Sequence, residues 1–159
     1  MLTHPFTPLY NPDSKILILG SFPSVKSREQ MFFYGHPQNR FWKVLAGVLE
    51  RKVPQTIAEK KTFLLEHGIA LWDVIASCEI TGSSDTSIKN VIPNDISEIL
   101  EAADIKQIFV NGKTAEKYYK KYLEANTGKT AVCLPSTSPA NAAFNIQRLY
   151  FFWKKLKNF

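Results

Sequence analysis

Four short apolar segments alternating with helical patterns predict an α/β fold: three layers, α/β/α, around a central, mainly parallel four-stranded sheet. Two observations carry that expectation. The segments are continuous apolar runs rather than alternating ones, as in strands buried on both faces. Each also opens into polar loop residues and then a helix, the crossover order that parallel strands require. The chain has 159 residues, 45% of them hydrophobic. That suffices for one domain, 1–159, burying about two-thirds of its unfolded surface. No linker, repeat or low-complexity segment divides it.

The elements follow in order. KILILGSFPS (Lys15–Ser24) is a strand that opens at its carboxyl end into a Gly-Ser and Phe-Pro-Ser loop. RFWKVLAGVLE (Arg40–Glu50) has apolar residues at helical spacing, and Ile57–Gly68 is a second amphipathic helix closed by its glycine. IALWDVIAS (Ile69–Ser77) reads as a strand running into the polar loop CEITGSSDTSIKN. Pro93–Asp104 reads as a helix with Asn94 or Asp95 as its cap. QIFVNG is a strand, KTAEKYYKKYLEA a helix, TAVCLPSTS a strand with a polar mouth, and NAAFNIQRLYFFWKKLKNF a closing helix.

Composition narrows the function classes. The net charge of +6 favours polyanionic partners, although many of the lysines lie on helix faces that read as solvated. Cys78 and Cys133 form no CxxC pair, and three histidines supply too few ligands for a structural zinc or iron–sulfur site, so neither a metal nor a cofactor is expected. No apolar run is long enough to span a bilayer. MLTHPFTPLYNPDS lacks the basic head and apolar body of a secretory leader. A cytoplasmic monomer, nucleoid-associated in a prokaryote, is the expectation.

There is no Walker motif, GxGxxG, GxSxG elbow or HExxH. What gathers at the strand ends instead is a set of small polar groups and rings: Tyr34, His36, Asn39, Asp73, Asp85, Ser136, Ser138 and Asn141. A site of that kind suits a reaction with a good leaving group, where the protein orients water and stabilises charge.

YGHPQNRFWKVL, GSFPS and LPSTSPAN together resemble the hypoxanthine-DNA (deoxyinosine) glycosylase branch of the uracil-DNA glycosylase superfamily, which is related to the mismatch-specific uracil- and thymine-DNA glycosylases. The similarity runs from Ile16 to about Phe144. It implies that Gly20, Ser21 and Phe22 form a first-motif turn with main-chain contacts to the base. It makes Tyr34 the ring that stacks on an extruded base, Asn39 the catalytic amide, and Asp73 the equivalent of the base-recognition Asn. Ser136, Ser138, Pro139, Ala140 and Asn141 correspond to the second-motif loop that enters the minor groove, with Ser138 on a phosphate. The implied partner is DNA containing deaminated bases.

The chain departs from the family pattern twice. The acidic or amide residue that usually follows the first-motif Gly is absent from Ser21-Phe22-Pro23-Ser24, which moves the water-orienting role to Asn39. Ser136 and Ala140 stand where the family carries a His or Asn and a bulky wedge, so Ala140 is expected to hold a duplex open weakly.

The chemistry of recognition is independent of the resemblance. A carboxylate at Asp73 accepts from N1–H of lactam hypoxanthine but meets a bare lone pair on adenine N1, a mismatch that leaves buried polar groups unpaired. Uracil also presents an N–H beside a carbonyl. Uracil or mismatched thymine is therefore an alternative substrate, and a non-catalytic nucleic-acid binder or an enzyme acting on free nucleosides is an alternative class.

Several of these residues also have structural readings. Asn39 suits a cap for the helix that begins near Arg40. Phe32, Phe33, Phe41 and Trp42 read as core, and His36 as a satisfied loop histidine. Asp85 reads as a turn residue, with Ser83, Ser84 and Lys89 as candidate phosphate contacts. Asn111 and Lys113 read as a strand-end turn and a helix start, and Cys133 as an inert buried thiol.

Overall fold

The computed structural model describes residues 1–159. Its centre is a four-stranded parallel sheet of β2 (Ile16–Gly20), β3 (Ile69–Asp73), β6 (Gln107–Asn111) and β7 (Ala131–Leu134), in the order β3-β2-β6-β7. These are the four apolar runs, and all of β2 and β3 is buried. Helix α3 (Ile57–Glu66) packs on β3, α5 (Lys113–Tyr122) packs on β6 and β7, and α2 (Phe41–Leu49) packs on α7 (Ile146–Trp153). From β2 the chain goes first to β3 on one side and later to β6 on the other. The carboxyl ends of β2 and β6 therefore flank a topological switch point, where open α/β sheets bind ligands.

Ile69–Ser77 is not one strand. It splits into β3 and β4 (Ile75–Glu79), because Val74 turns out of the parallel sheet, its N–H bonding to Gly20 O at 2.8 Å and its carbonyl taking Asn94 N–H at 2.8 Å. β4 then joins a small antiparallel sheet between β1 (Leu2–Thr3) and β5 (Lys89–Pro93). The loop CEITGSSDTSIKN thus begins and ends in strands, with a short 3-10 turn, Asp85–Ser87, between them.

The expected helix over Pro93–Asp104 is confined to α4 (Ser97–Ala102), since Pro93 ends β5. Asn94 does not cap it; its Nδ2 donates to Asp73 O at 2.8 Å, while Asp95 Oδ1 accepts from Ser97 N–H. The closing helix starts late, at Ile146, where Asn145 Oδ1 caps it by accepting from Arg148 N–H. A short helix absent from the sequence reading, α1 (Val25–Gln30), follows β2, capped by Ser24. Helix α5 ends at Tyr122, and a single turn, α6 (Glu124–Thr127), completes the expected segment.

Candidate active site

A cavity of about 440 Å³ opens beyond the carboxyl ends of the parallel strands. Gly20 and Asp73 form its floor. Asp73 is only 4% exposed, and its Oδ2 lies 2.7 Å from His4 Nε2. With the carboxylate as acceptor, that ring nitrogen donates, which leaves Oδ1 as the free oxygen. A Cβ on Gly20 would lie 2.5 Å from Asp73 Oδ1 and 3.0 Å from Tyr34 Oη, so glycine is what lets both approach the strand end.

One wall comes from the loop between α1 and α2. Tyr34 adopts a left-handed backbone (φ 51°), and Trp42 Nε1 holds its carbonyl at 3.2 Å. Its ring stacks on Phe41 with centroids 3.9 Å apart and 20° between planes. Its hydroxyl is buried without a hydrogen-bond partner. Burial and the negative charge of Asp73 push the phenol pKa well above its ordinary value. His36 Nδ1 accepts from Gln38 N–H, which fixes the loop histidine. Asn39 Oδ1 accepts from Phe41 N–H at 2.9 Å, starting α2, and the residue also lines the cavity. The helix cap position is Arg40, so Asn39 acts one residue before it, bonding the first turn while standing on the cavity wall.

The opposite strand ends are stapled together. Asn111 Nδ2 donates to Thr137 Oγ1 at 3.0 Å, and Asn111 Oδ1 accepts from Thr137 N–H at 3.1 Å. Thr137 is fully buried. The Arg40 guanidinium then gathers the following loop, donating to the carbonyls of Thr137, Ser138, Asn141 and Phe144. Four carbonyl-directed bonds from one side chain would be hard to replace with a lysine, whose ammonium lacks the planar fork.

Comparison with known proteins shows the family and the fold. The family model described as the uracil DNA glycosylase superfamily matches residues 7–157. The chain belongs to the uracil DNA glycosylase superfamily. A hypoxanthine DNA glycosylase of Methanosarcina acetivorans is 33% identical over 150 residues, 93% of this chain and 94% of that one. Another, of Methanosarcina barkeri, is 33% identical over 138 residues, 86% of each chain. The solution NMR structure of a Methanosarcina acetivorans protein proposed to be a uracil DNA glycosylase superposes with a TM-score of 0.81 at 29% identity, covering 99% of both chains.

In this uracil DNA glycosylase superfamily member the residues singled out from sequence converge. Gly20, Ser21, Phe22, Tyr34, Asn39, Asp73, Ser84, Ser136, Ser138, Pro139 and Ala140 all line the cavity. Pro139 and Ala140 are exposed at its rim. Two are not brought to it. Lys89 is exposed on β5 opposite Glu79, and Asn141 turns its Nδ2 back to Ser136 O at 3.0 Å.

His4 and Asn111 were not legible as site residues, and Asp85, among the strand-end polar groups, read by default as a turn residue. His4 arrives from the amino-terminal segment, where its N–H bonds to Ala76 O as β1 pairs with β4. Asn111 proves to be the staple described above. Asp85 lies on the cavity, its Oδ1 accepting from Ser21 Oγ at 3.3 Å. No cluster of three or more His, Cys, Asp or Glu is placed to hold a metal ion, and no helix is long and apolar enough to cross a membrane.

Proposed function

We propose that the protein is a monofunctional DNA glycosylase that hydrolyses the N-glycosidic bond of deaminated bases, chiefly hypoxanthine, acting as a cytoplasmic monomer on a nucleotide flipped out of DNA. The observation that carries this reading is Asp73, a buried carboxylate with one oxygen held by His4 and the other free at the cavity floor. A lactam base supplies the N–H that this oxygen lacks, whereas adenine presents a lone pair there. The name shared by the two archaeal relatives supports the same substrate.

The remaining roles follow from position. The base stacks against the Tyr34 ring, which Phe41 backs, and extrusion brings it to the floor. Asn39 offers its Nδ2 to the cavity, because its Oδ1 is engaged with Phe41 N–H. It orients the attacking water. Ser84, Ser136, Ser138, Pro139 and Ala140 meet the DNA at the mouth, supported at longer range by Lys89 and Asn141. No lysine lines the cavity, so no amine faces the sugar to form a covalent intermediate, and strand cleavage is not part of the reaction.

End-labelled oligonucleotides carrying one deoxyinosine or one deoxyuridine, single-stranded and duplex, test the reading after hot alkali. Alkali-dependent cleavage at inosine, lost in Asn39→Ala with DNA affinity retained, is expected. Cleavage at uridine alone moves the substrate to uracil. Salt-sensitive DNA binding without cleavage at either leaves a binding protein.

A further inference from the structure

Water that attacks C1′ gives up a proton, and an acceptor for it has to be found. Asn39 is an amide; it orients a water by hydrogen bonding but does not take its proton. Phe22, in the turn where the family pattern places an acidic or amide group, is a buried hydrocarbon ring packed edge-on against His4 at 5.9 Å. Two carboxyl groups line the cavity, Asp73 and Asp85. Asp73 is bound at the floor to His4, where the base is read.

Asp85 is different. It comes from the loop between β4 and β5, 64 residues along the chain from Ser21, yet it docks on the turn after Gly20. Ser21 Oγ donates to its Oδ1 at 3.3 Å, so the carboxyl stands beside the turn from which the acidic or amide residue is missing. Fold topology thus returns to the first-motif turn a group that its local sequence lacks.

We propose that Asp85 is the general base of the reaction, taking the proton of the attacking water. This rests on the glycosylase reading above. In the step, the C1′–N9 bond of deoxyinosine breaks and its electron pair leaves with the purine, which takes a proton from solvent on release. Water oxygen bonds to C1′, and one water proton passes to the Asp85 carboxylate, giving an abasic sugar with a C1′ hydroxyl. Partial loss of hydration in the cleft raises the Asp85 pKa, although the side chain keeps contact with solvent; hydrogen bonds from Thr114 and Ser21 oppose the rise and the charge of Asp73 adds to it. The result is a better proton acceptor than an ordinary aspartate.

Asp85→Asn separates this role from a structural one, because the amide oxygen still accepts from Ser21 Oγ. Single-turnover release of hypoxanthine is measured alongside the dissociation constant for the inosine oligonucleotide. The expected result for Asp85→Asn is a rate about 10²–10⁴-fold below wild type. Affinity should be unchanged or tighter, since a negative charge has left a DNA-facing cleft. Asp85→Glu, which keeps the carboxyl, should recover part of the rate. Wild-type turnover in Asp85→Asn, loss of rate matched by loss of affinity, or an Asp85→Glu no faster than Asp85→Asn would each overturn the proposal. If the wild-type protein releases neither hypoxanthine nor uracil, the glycosylase reading itself fails and takes the general base with it.

Discussion

His4 Nε2 stands 2.7 Å from Asp73 Oδ2, both side chains buried, in a pairing that spans 69 residues of chain. Phe6, Phe22, Phe33 and Trp72 surround the imidazole, and its Nδ1 has no partner. One carboxylate oxygen is thereby immobilised while the other is left for a ligand. In the proposed reaction His4 is a positioning residue, acting on the base through Asp73.

His4→Phe fills the aromatic cage but leaves Asp73 Oδ2 without its donor. Stranding a buried charged acceptor costs about 3 kcal/mol. Urea denaturation should show a loss of that size at neutral pH, and excision should fall with it. His4→Gln, which can donate again, should recover more activity than His4→Phe.

Gly20→Ala tests the floor. The new Cβ would sit 2.5 Å from Asp73 Oδ1, closer than a real Cβ approaches, and a tight 3.0 Å from Tyr34 Oη. Asp73 must swing aside, and a displacement near 1 Å at a reacting site costs about 100-fold in rate. Single-turnover excision should drop by that order, while circular dichroism of the folded protein stays unchanged.

Tyr34→Phe removes a buried hydroxyl that has no partner and keeps the ring proposed to stack on the base. An unsatisfied buried polar group costs about 1–3 kcal/mol, so this variant should be at least as stable as wild type by thermal unfolding. It should retain excision. Tyr34→Ala, which removes the stacking face, should not.

The raised pKa of Asp85 has a stability consequence with a definite sign. A carboxyl whose folded pKa exceeds its unfolded value binds protons more readily when folded, so stability falls as pH rises from the ordinary aspartate range through the raised value. Asp85→Asn does not titrate and escapes that fall. Its stability should match wild type most closely in acid and exceed it at neutral pH, by a modest amount because the residue is solvent-accessible. Urea midpoints at several pH values check this. A variant that gains stability and loses activity is the pattern of a strained functional group.

The parallel sheet was legible because ILILG and IALWD are buried throughout, QIFVN is buried at its centre, and these three with the half-buried edge strand AVCL read as short apolar runs. The site residues on its carboxyl ends came with it, since strand-end loops are where such folds bind. The antiparallel sheet was not legible. β1 is only two residues long, too short for any periodicity, and its partner β4 begins 72 positions after Thr3 in the same apolar run as β3. His4 was hidden for that reason, sitting before a proline in a segment without pattern. Asp85 was read as a turn residue, which locally it is; only the docking of its loop on Ser21 shows what else it faces. The Asn-Gly pair at Asn111 and Gly112 signalled a turn, with φ 97° at the glycine, but the staple to Thr137 is a long-range contact.

The most direct measurement is of the released base itself. A duplex carrying one deoxyinosine is incubated with the protein, without alkali, and free bases are quantified by mass spectrometry while strand integrity is followed on a gel. Free hypoxanthine stoichiometric with the lesion, from an intact strand, is expected. No free hypoxanthine, or strand scission without alkali, would contradict a monofunctional glycosylase built around Asp73 and Asn39.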